Sequence, residues 1–427
     1  MSLRGDIRAR AIELYLGQGT RKLARGWHRL VRNTRGQVRR ATFFFRVDDP
    51  QCHLVSQVLP RIAEAYGLEV ELVVVPAPAA DVDPEPGLKA EFDVVDARNV
   101  AEALGLSFPA PGSEPVATRV RLANAVLLVP REPTAALDLA YRVSDLLLRR
   151  DGDGLAALAE REGSVSGQDV RPTLEANYAR LRRTGHYQPG VVVFEGEHYL
   201  GVDRLRYLED RLRAEGLDAG AELAPRARSE EPGPEARGRT VEVFFSFRSP
   251  YSYLALARLV AWRDVHGVDV RARPVLPLVM RGLPVPAEKR LYLARDAKRE
   301  ADRLGIPFGR IADPVGVGVE RCIAVFAHAD ARGRGLDFAH SACKGAFADG
   351  LDLATDAGLF AVAARAGVDE ATVRAGLADE GWRTLAERNR EELYDLGLWG
   401  VPSFRIGDFS TFGQDRLFLV AARLRER

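Results

Sequence analysis

The sequence predicts an α/β protein made of two tandem domains of one kind, each interrupted by an all-helical insertion. The first observation is an internal repeat, in which residues 42–52 match residues 242–252 at an offset of 200 positions. The second is that the similarity returns near the end of each half, where residues 201–205 resemble residues 413–417. A recurrence that opens and closes both halves indicates two copies of one folding unit.

Each half has the same order of predicted elements: strand, helix, strand, long insert, strand, strand, helix. We predict a first domain over residues 41–218, with an insert at 77–187, and a second over 241–427, with an insert at 276–400. Apolar residues at helical spacing over 136–149 and 287–304 predict helices inside these inserts. Residues 219–240 are rich in Ala, Pro, Glu and Arg without apolar periodicity, so they are predicted to be a linker.

Residues 1–40 are predicted to form a basic helical arm. They carry eleven Arg or Lys residues against Asp6 and Glu13. Apolar positions between Ile7 and Leu16 indicate an amphipathic helix, for which two interpretations stay open. The arm either docks on an anionic surface or is a solvated helix that packs on the first domain, and we favour the second interpretation.

Composition limits the function classes. The chain has 427 residues, 46% of them hydrophobic and 28% charged, with a net charge of +1, which argues against a general nucleic-acid binder. Cys52, Cys322 and Cys343 form neither a C-x-x-C pair nor a metal-ligand spacing, so we expect a reduced, cytoplasmic setting and no metal. No apolar run is long enough to span a bilayer, and we expect no membrane insertion.

The most informative segment is the turn after the first strand of the second half. Val241–Phe247 is rich in β-branched and aromatic residues, Ser249-Pro250 ends it, and apolar residues over 253–262 predict a helix. Proline is tolerated in the first turn of a helix. Ser249 therefore lies at a helix N-terminus, where free N–H groups and the helix dipole favour an anion.

These motifs resemble the DsbA-type thioredoxin fold, in the branch of 2-hydroxychromene-2-carboxylate isomerases and kappa-class glutathione transferases. The resemblance rests on Ser249-Pro250-Tyr251-Ser252, then 289–292, 305–308, 400–404 and 413–417, in that order. It covers nearly all of 241–427 and, in decayed form, 42–212. It implies two tandem thioredoxin-like domains with helical insertions, and glutathione as the cofactor.

In this resemblance Ser249 stands at the position of the nucleophilic cysteine and Ser252 at that of the resolving cysteine. Two hydroxyls cannot cycle between dithiol and disulfide. The Ser249 hydroxyl is better suited to donate to a thiolate borrowed from glutathione, although an ordinary N-cap serine would also explain it. Ser252 is expected in a structural or secondary polar role near the substrate pocket, and Tyr251 could contact substrate.

The resemblance assigns the remaining site residues to glutathione. Pro402 follows Val401 where this fold places a cis-proline, so the Val401 main chain would bind the cysteinyl moiety. Gln414 and Asp415 would bind the γ-glutamyl end, and Lys289 the glycyl carboxylate. Each has a structural alternative: Asp415 could cap a helix, Lys289 could be a solvated lysine, and Gln188-Pro189 in the first half shows that the proline belongs to the fold first.

The first half lacks the features of a thiol site. Asp49 replaces the nucleophile and would repel a thiolate. Cys52 is interpreted as a small, partly buried residue in a degenerate domain rather than a redox-sensitive thiol. Cys322 and Cys343 are predicted core residues. In the second half, residues 313–318 depart from the asparagine-bearing segment of many isomerases, which leaves the substrate open.

Three hypotheses follow. The first is a glutathione-dependent cis-trans isomerase that acts on a small aromatic-derived unsaturated substrate. The second is a kappa-like glutathione transferase or a DsbA-family oxidoreductase, and the third a non-catalytic thioredoxin-fold binding protein. No nucleic-acid partner is expected, and a homodimer is left open.

Overall fold

The structure, a computed structural model, describes residues 3–83, 85–110, 117–227 and 229–426. The chain divides into two compact units. The N-terminal unit comprises residues 25–228, and the C-terminal unit comprises residues 1–24 together with 229–427. Each unit contains one four-stranded sheet.

The helices and strands that follow the arm in the N-terminal unit are, in order, β1 (Arg39–Phe45), α3 (Pro50–Tyr66), β2 (Leu68–Val74), α4 (Pro86–Leu104), α5 (Ala117–Leu127), α6 (Pro133–Arg149), α7 (Gly152–Glu162), α8 (Gly167–Arg183), β3 (Val191–Phe194), β4 (Glu197–Leu200) and α9 (Leu205–Ala214). They are preceded by α1 (Leu3–Leu16) and α2 (Gln18–Thr34).

The C-terminal unit repeats this order with a longer helical insert. Its elements are β5 (Thr240–Phe245), α10 (Pro250–His266), β6 (Asp269–Pro274), α11 (Ala287–Leu304), α12 (Val317–Asp330), α13 (Gly335–Lys344), α14 (Asp356–Arg365), α15 (Glu370–Leu377), α16 (Trp382–Asp395), β7 (Ser403–Ile406), β8 (Phe409–Phe412) and α17 (Leu417–Arg425). The helices predicted over 136–149 and 287–304 are present as α6 and α11.

The two sheets have the same topology, with strand orders β2-β1-β3-β4 and β6-β5-β7-β8. The first strand of each unit pairs in parallel with the second and antiparallel with the third, and the last two strands are antiparallel. The first strand is thus interior to the sheet. Phe244 and Phe245 point to opposite faces and are both fully buried, which explains why this strand is a continuous apolar run rather than an alternating one.

The helix after the first strand is also alike in both units. α3 and α10 each have 17 residues, begin with proline and end at a glycine in the left-handed region, Gly67 at φ 57° and Gly267 at φ 69°. Proline is suited to the first helical position and glycine to the end. The 200-residue repeat therefore corresponds to a repeated strand–helix–strand unit.

The N-terminal arm divides between the two units. α2 contacts the first domain through Arg25 and Glu197, as the favoured interpretation expects. α1 instead packs on the C-terminal unit, since Ala9 and Leu16 are 1% and 4% exposed, Leu16 within the core cluster of that unit. Asp6 also forms an ion pair with Arg310. The sequence showed an amphipathic helix but could not show which surface its apolar face would meet.

The segment between the two sheets divides between the units. At its start, the backbone N–H groups of Leu223 and Ala224 donate to Glu209 of α9. Further on, Glu230 pairs with Arg258 and Arg303 of the C-terminal unit. Each end of the predicted linker is thus tied down by hydrogen bonds or ion pairs.

The three cysteines lie in apolar cores. Cys52, Cys322 and Cys343 are each 0% exposed, and burial raises the pKa of all three thiols above the ordinary value. Cys52 is therefore a core residue and is more deeply buried than expected from the sequence. Within the described ranges, no helix is both long and apolar enough to cross a bilayer, and no group of three or more His, Cys, Asp or Glu side chains could hold a metal ion.

A charged cluster on the C-terminal sheet gives a pH-dependent prediction. Glu242 of β5 accepts hydrogen bonds from Arg273 at 2.6 Å and from Arg405. Burial raises the pKa of Glu242, but these arginines outweigh burial and hold it below the ordinary 4.5. A lowered folded-state pKa means that the stabilisation is present above pH 4.5 and is lost as the pH falls through the lowered value.

We therefore expect Glu242→Gln to reduce the free energy of unfolding by about 2 kcal/mol at pH 7. The difference from wild type should shrink as the pH falls below about 4.5. Urea unfolding of the full chain from pH 7 to pH 3 measures it. Glu370→Gln, which removes an exposed pair with Arg374, should change little. A difference that stays constant over this pH range would contradict the explanation.

Candidate functional site

The start of α10 is the centre of the candidate site. Ser249 has an extended backbone, at φ −91° and ψ 118°, and its Oγ accepts a hydrogen bond from the Ser252 N–H at 3.1 Å. It is thus the N-cap of α10. The same hydroxyl donates to the Val401 carbonyl oxygen at 3.4 Å, so it lies between the helix N-terminus and the loop before β7.

The loop before β7 contains a cis peptide bond between Val401 and Pro402, as the resemblance implies. In the N-terminal unit, by contrast, the bond between Gln188 and Pro189 is not cis. The Pro402 carbonyl accepts from the Gly413 N–H at 2.8 Å, which fixes the loop against the segment after β8. Across the part of the chain that the structure describes, the Val401 N–H has no hydrogen-bond acceptor. It is a free donor beside Ser249.

Ser252 has a structural role. It is 0% exposed, and its hydroxyl accepts a hydrogen bond from the Ser246 N–H at 3.2 Å. This hydroxyl satisfies a buried backbone donor at the end of β5. The side chain points into the domain, as a structural role requires, and a contact between Ser252 and substrate stays a prediction.

Tyr251 points the other way, towards the helical insert. Its hydroxyl donates to Asp296 of α11 at 2.7 Å. Asp296 is 1% exposed, and Arg299 lies 3.8 Å from it. A buried carboxylate that accepts a strong hydrogen bond fixes the Tyr251 ring against α11. Its contact with substrate stays a prediction.

The N-terminal unit has the same contacts with different side chains. Asp49 caps α3 by accepting from the Cys52 N–H at 2.8 Å, and Cys52 Sγ accepts from the Arg46 N–H at 3.3 Å. Gln51 Nε2 donates to the buried Asp96 at 3.1 Å. Position by position, the pairs Asp49 and Ser249, Gln51 and Tyr251, Cys52 and Ser252, and Asp96 and Asp296 are all 200 residues apart.

Asp296 is the site residue that sequence reasoning missed. The signal was present, since the offset of 200 that aligns the two turns also aligns Asp96 with Asp296 inside the helical inserts. It aligns Lys89 with Lys289 as well. Lys89 forms an ion pair with Asp93 one helical turn later.

Lys289 lies in the first turn of α11 and is half-buried. It precedes Asp296 by seven residues, about 10 Å along the helix axis. The structure thus places Lys289 on the helix whose Asp296 holds Tyr251. Contact with a glycyl carboxylate remains a prediction.

Gln414 and Asp415 lie in the 3-10 turn that follows β8. Gln414 is 1% exposed, and its amide donates to Glu300 at 3.0 Å, so this side chain ties the turn to α11. Asp415 keeps about a quarter of its side chain exposed and lies 3.7 Å from Arg416. Of the two side chains predicted to bind the γ-glutamyl end, only that of Asp415 reaches the surface. A ligand contact for either residue stays a prediction.

Residues 313–318, which differ from the pattern of the family that the sequence resembles, are bonded to the turn at Ser249. Arg248 donates through Nε and Nη2 to the two carboxylate oxygens of Asp313, both at 2.8 Å. This bidentate pair joins the residue before Ser249 to the insert. Residues 313–318 therefore border the site despite their unusual sequence.

The arrangement can hold an anion, and among the described residues the Ser249 hydroxyl hydrogen-bonds only with the Val401 carbonyl and the Ser252 N–H, neither of which is a base. His266 is at the far end of α10, about 25 Å along the helix from Ser249. Ser249 Oγ, the start of α10 and the free Val401 N–H instead offer hydrogen-bond donors and a favourable dipole. These are the features that stabilise a bound thiolate.

Comparisons with known proteins concern the C-terminal unit. Residues 240–425 match the family model of the DSBA-like thioredoxin domain, and the C-terminal sheet with its helical insert is a thioredoxin-like DsbA fold. A curated relative, 2-hydroxychromene-2-carboxylate isomerase of Pseudomonas putida, is 22% identical over 192 residues, which are 43% of this chain and 93% of that protein.

Two solved structures are similar in the same way. One is a 2-hydroxychromene-2-carboxylate isomerase, with 23% identity, a TM-score of 0.38, and coverage of 43% of this chain and 94% of that chain. The other is the cytosolic disulfide reductase DsbM from Pseudomonas aeruginosa, with 21% identity, a TM-score of 0.36, and coverage of 44% and 95%.

The role of Ser252 can be tested with a variant that the chain itself suggests. We expect Ser252→Ala to reduce the free energy of unfolding by about 1–3 kcal/mol, because it leaves the buried Ser246 N–H without an acceptor. Ser252→Cys should recover part of this loss, since Cys52 Sγ accepts the corresponding N–H in the first half. Urea unfolding measures both. Equal stability of the alanine and wild-type proteins would disprove the structural role.

Proposed function

We propose that the C-terminal unit is a glutathione-dependent cis-trans isomerase of the 2-hydroxychromene-2-carboxylate isomerase type. The observation that carries this proposal is the pair of groups at the start of α10, Ser249 Oγ and the unpartnered Val401 N–H. Ser249 stands where a thioredoxin-like fold would hold a sulfur atom, the Val401 carbonyl contacts its hydroxyl at 3.4 Å, and the chain has no cysteine there.

Ser249 would donate a hydrogen bond to the glutathione thiolate. Its hydroxyl hydrogen has only a long contact to the Val401 carbonyl at 3.4 Å, so turning it towards a sulfur anion loses little. Its lone pairs would still accept from the Ser252 N–H. A thiol at a helix N-terminus has its pKa lowered below the usual 8.5 or so, which raises the thiolate fraction at neutral pH.

The tripeptide would extend from this point in two directions. The Val401 N–H and C=O would bind its cysteinyl backbone, Asp415 would pair with the γ-glutamyl ammonium near Gln414, and Lys289 would meet the glycyl carboxylate. A carboxylate near one end and an ammonium near the other complement the γ-glutamyl ammonium and the glycyl carboxylate of glutathione.

In the proposed reaction the thiolate adds to an electron-poor conjugated carbon of the substrate. A carbon–sulfur bond forms, the carbon–carbon double bond becomes a single bond, and its electron pair moves into the conjugated carbonyl. Rotation and the reverse electron movement then expel the thiolate and leave the trans alkene. The cycle consumes no oxidant or reductant, which agrees with a site that has serines at both cysteine positions.

We further propose that the N-terminal unit is a degenerate thioredoxin-like domain without thiol chemistry. Asp49 places a carboxylate where Ser249 stands, and it would repel a thiolate at the helix start. Cys52 is fully buried and accepts the Arg46 N–H. This unit would serve stability or assembly.

A kappa-like glutathione transferase is the second candidate. The thiolate site would be the same in a transferase. The observation that favours a transferase is that residues 313–318 differ from the asparagine-bearing segment of many isomerases, and that Asp313 is ion-paired with Arg248. An assay with a chloronitrobenzene electrophile distinguishes the two candidates. A stable glutathione conjugate would support the transferase, and its absence together with isomerisation of a hydroxychromene carboxylate would support the isomerase.

The proposal predicts a specific order of glutathione affinities in Ser249 variants. Ser249→Ala should weaken binding about tenfold or more, because it removes a hydrogen bond to a charged sulfur. Ser249→Asp should weaken it further, because the carboxylate repels the thiolate. Isothermal titration of the full-length variants with reduced glutathione at pH 8 measures this.

The Ser249→Asp variant also distinguishes a loss of glutathione binding from a loss of the helix cap. Asp49 shows that aspartate caps this helix in the same fold, so Ser249→Asp should keep wild-type stability, whereas Ser249→Ala should lose about 1 kcal/mol. Unchanged glutathione affinity in both variants, or no binding by wild type at millimolar glutathione, would refute the proposed site.

A further inference from the structure

Helix α2 is attached to the protein by its charged face. Arg25 donates to both carboxylate oxygens of Glu197, at 2.5 and 2.8 Å. Arg32 is 6% exposed and pairs with Glu195 and, at 2.5 Å, with Glu215. Two well-formed arginine–carboxylate contacts, about two helical turns apart, fix this side of the helix against the N-terminal unit.

The opposite side of α2 is apolar and faces solvent. Leu23, Trp27 and Leu30, at spacings of four and three residues, are 77%, 65% and 55% exposed. At about 100° per residue, Arg25 and Arg32 lie about 180° from this stripe. A surface helix normally buries its apolar face and exposes its polar one, so α2 has the inverse orientation.

Charge indicates what could cover the apolar stripe. The helix contains five Arg or Lys residues and no Asp or Glu. Lys22 and Arg29 lie along one side of the stripe, about 110–130° from its centre at 100° per residue. Both are exposed and have no carboxylate partner within the described ranges. An occupant must therefore be apolar where it meets Leu23, Trp27 and Leu30 and anionic along that side.

We propose that α2 binds an anionic lipid surface, lying in the plane of the interface with its stripe among the acyl chains. Tryptophan and leucine on one side with arginine and lysine beside them are typical of interfacial helices. The ion pairs of Arg25 and Arg32 would hold the helix on the protein while its free cations meet lipid phosphates. The binding is peripheral and leaves the Ser249 site unaffected.

A second copy of this chain is a poorer occupant. A two-fold contact through the stripe would bring the same face of α2 against itself. Lys22 and Arg29 of each copy would then lie near those of the other without an acidic residue on the helix. Desolvating like charges side by side is unfavourable.

Trp27 is a selective reporter for the test. The other three tryptophans, Trp262, Trp382 and Trp399, are 1%, 7% and 8% exposed, so acrylamide quenching of the native full chain reports mainly on Trp27. Vesicles of phosphatidylcholine alone are compared with vesicles that also contain phosphatidylglycerol. We expect co-sedimentation, a blue shift and reduced quenching with the anionic vesicles, weakened by salt.

Matched variants test whether binding depends on α2 itself or on general properties of the protein surface. Arg29→Glu should weaken binding to the anionic vesicles by roughly tenfold or more, and Leu23→Ser with Leu30→Ser should abolish the blue shift. Two control variants change residues on other helices. Arg388→Glu alters an exposed cation that has no ion-pair partner among the described residues, and Val265→Ser alters a valine that is 69% exposed. Both should bind like wild type.

The proposal is overturned if wild type does not bind anionic vesicles, or if the control variants lose binding as much as the α2 variants do. It is also overturned if Trp27 is already protected in a vesicle-free dimer, as size-exclusion chromatography with light scattering would show. In that case the second copy is the occupant. Because glutathione titration uses a different site, failure here does not affect the proposed function.

Discussion

One hydrogen bond in each unit determines how the first helix follows the first strand. A side-chain oxygen at the N-cap, from Ser249 or Asp49, accepts from the backbone N–H three residues later. This bond fixes the direction in which the next side chains point. The third residue after the cap, Ser252 or Cys52, points into the domain and accepts a hydrogen bond from the backbone N–H at the end of the strand. The second residue, Tyr251 or Gln51, points towards the helical insert and donates to an aspartate there.

The same capping geometry has opposite electrostatic consequences in the two units. A hydroxyl at the cap position leaves the positive end of the helix dipole available to an external anion. A carboxylate at that position already neutralises this end of the helix. The C-terminal unit also has the cis Val401–Pro402 bond and the free Val401 N–H beside its cap. The proposed division of labour therefore follows from few substitutions in one fold.

Sequence reasoning predicted the repeated element order, the turn at Ser249 and the insert helices α6 and α11, because each is encoded by local patterns. It did not predict that Tyr251 meets Asp296 or that Arg248 meets Asp313, because these contacts join segments about 45 and 65 residues apart. It left the role of Ser252 open between structure and substrate pocket because spacing alone does not show which side of a helix start is buried. In the same way, the basic composition of residues 1–40 could not reveal that α2 exposes its apolar face.

The central claim is that the start of α10 stabilises a thiolate supplied by glutathione. The most direct measurement is the pKa of the glutathione thiol while it is bound to the protein, followed by the thiolate absorbance near 240 nm during a pH titration. We expect a value at least one unit below the roughly 8.5 of a free cysteine thiol, and a return towards that value in Ser249→Ala. A bound-thiol pKa equal to or above that of free glutathione, or the same value in wild type and Ser249→Ala, would contradict the account.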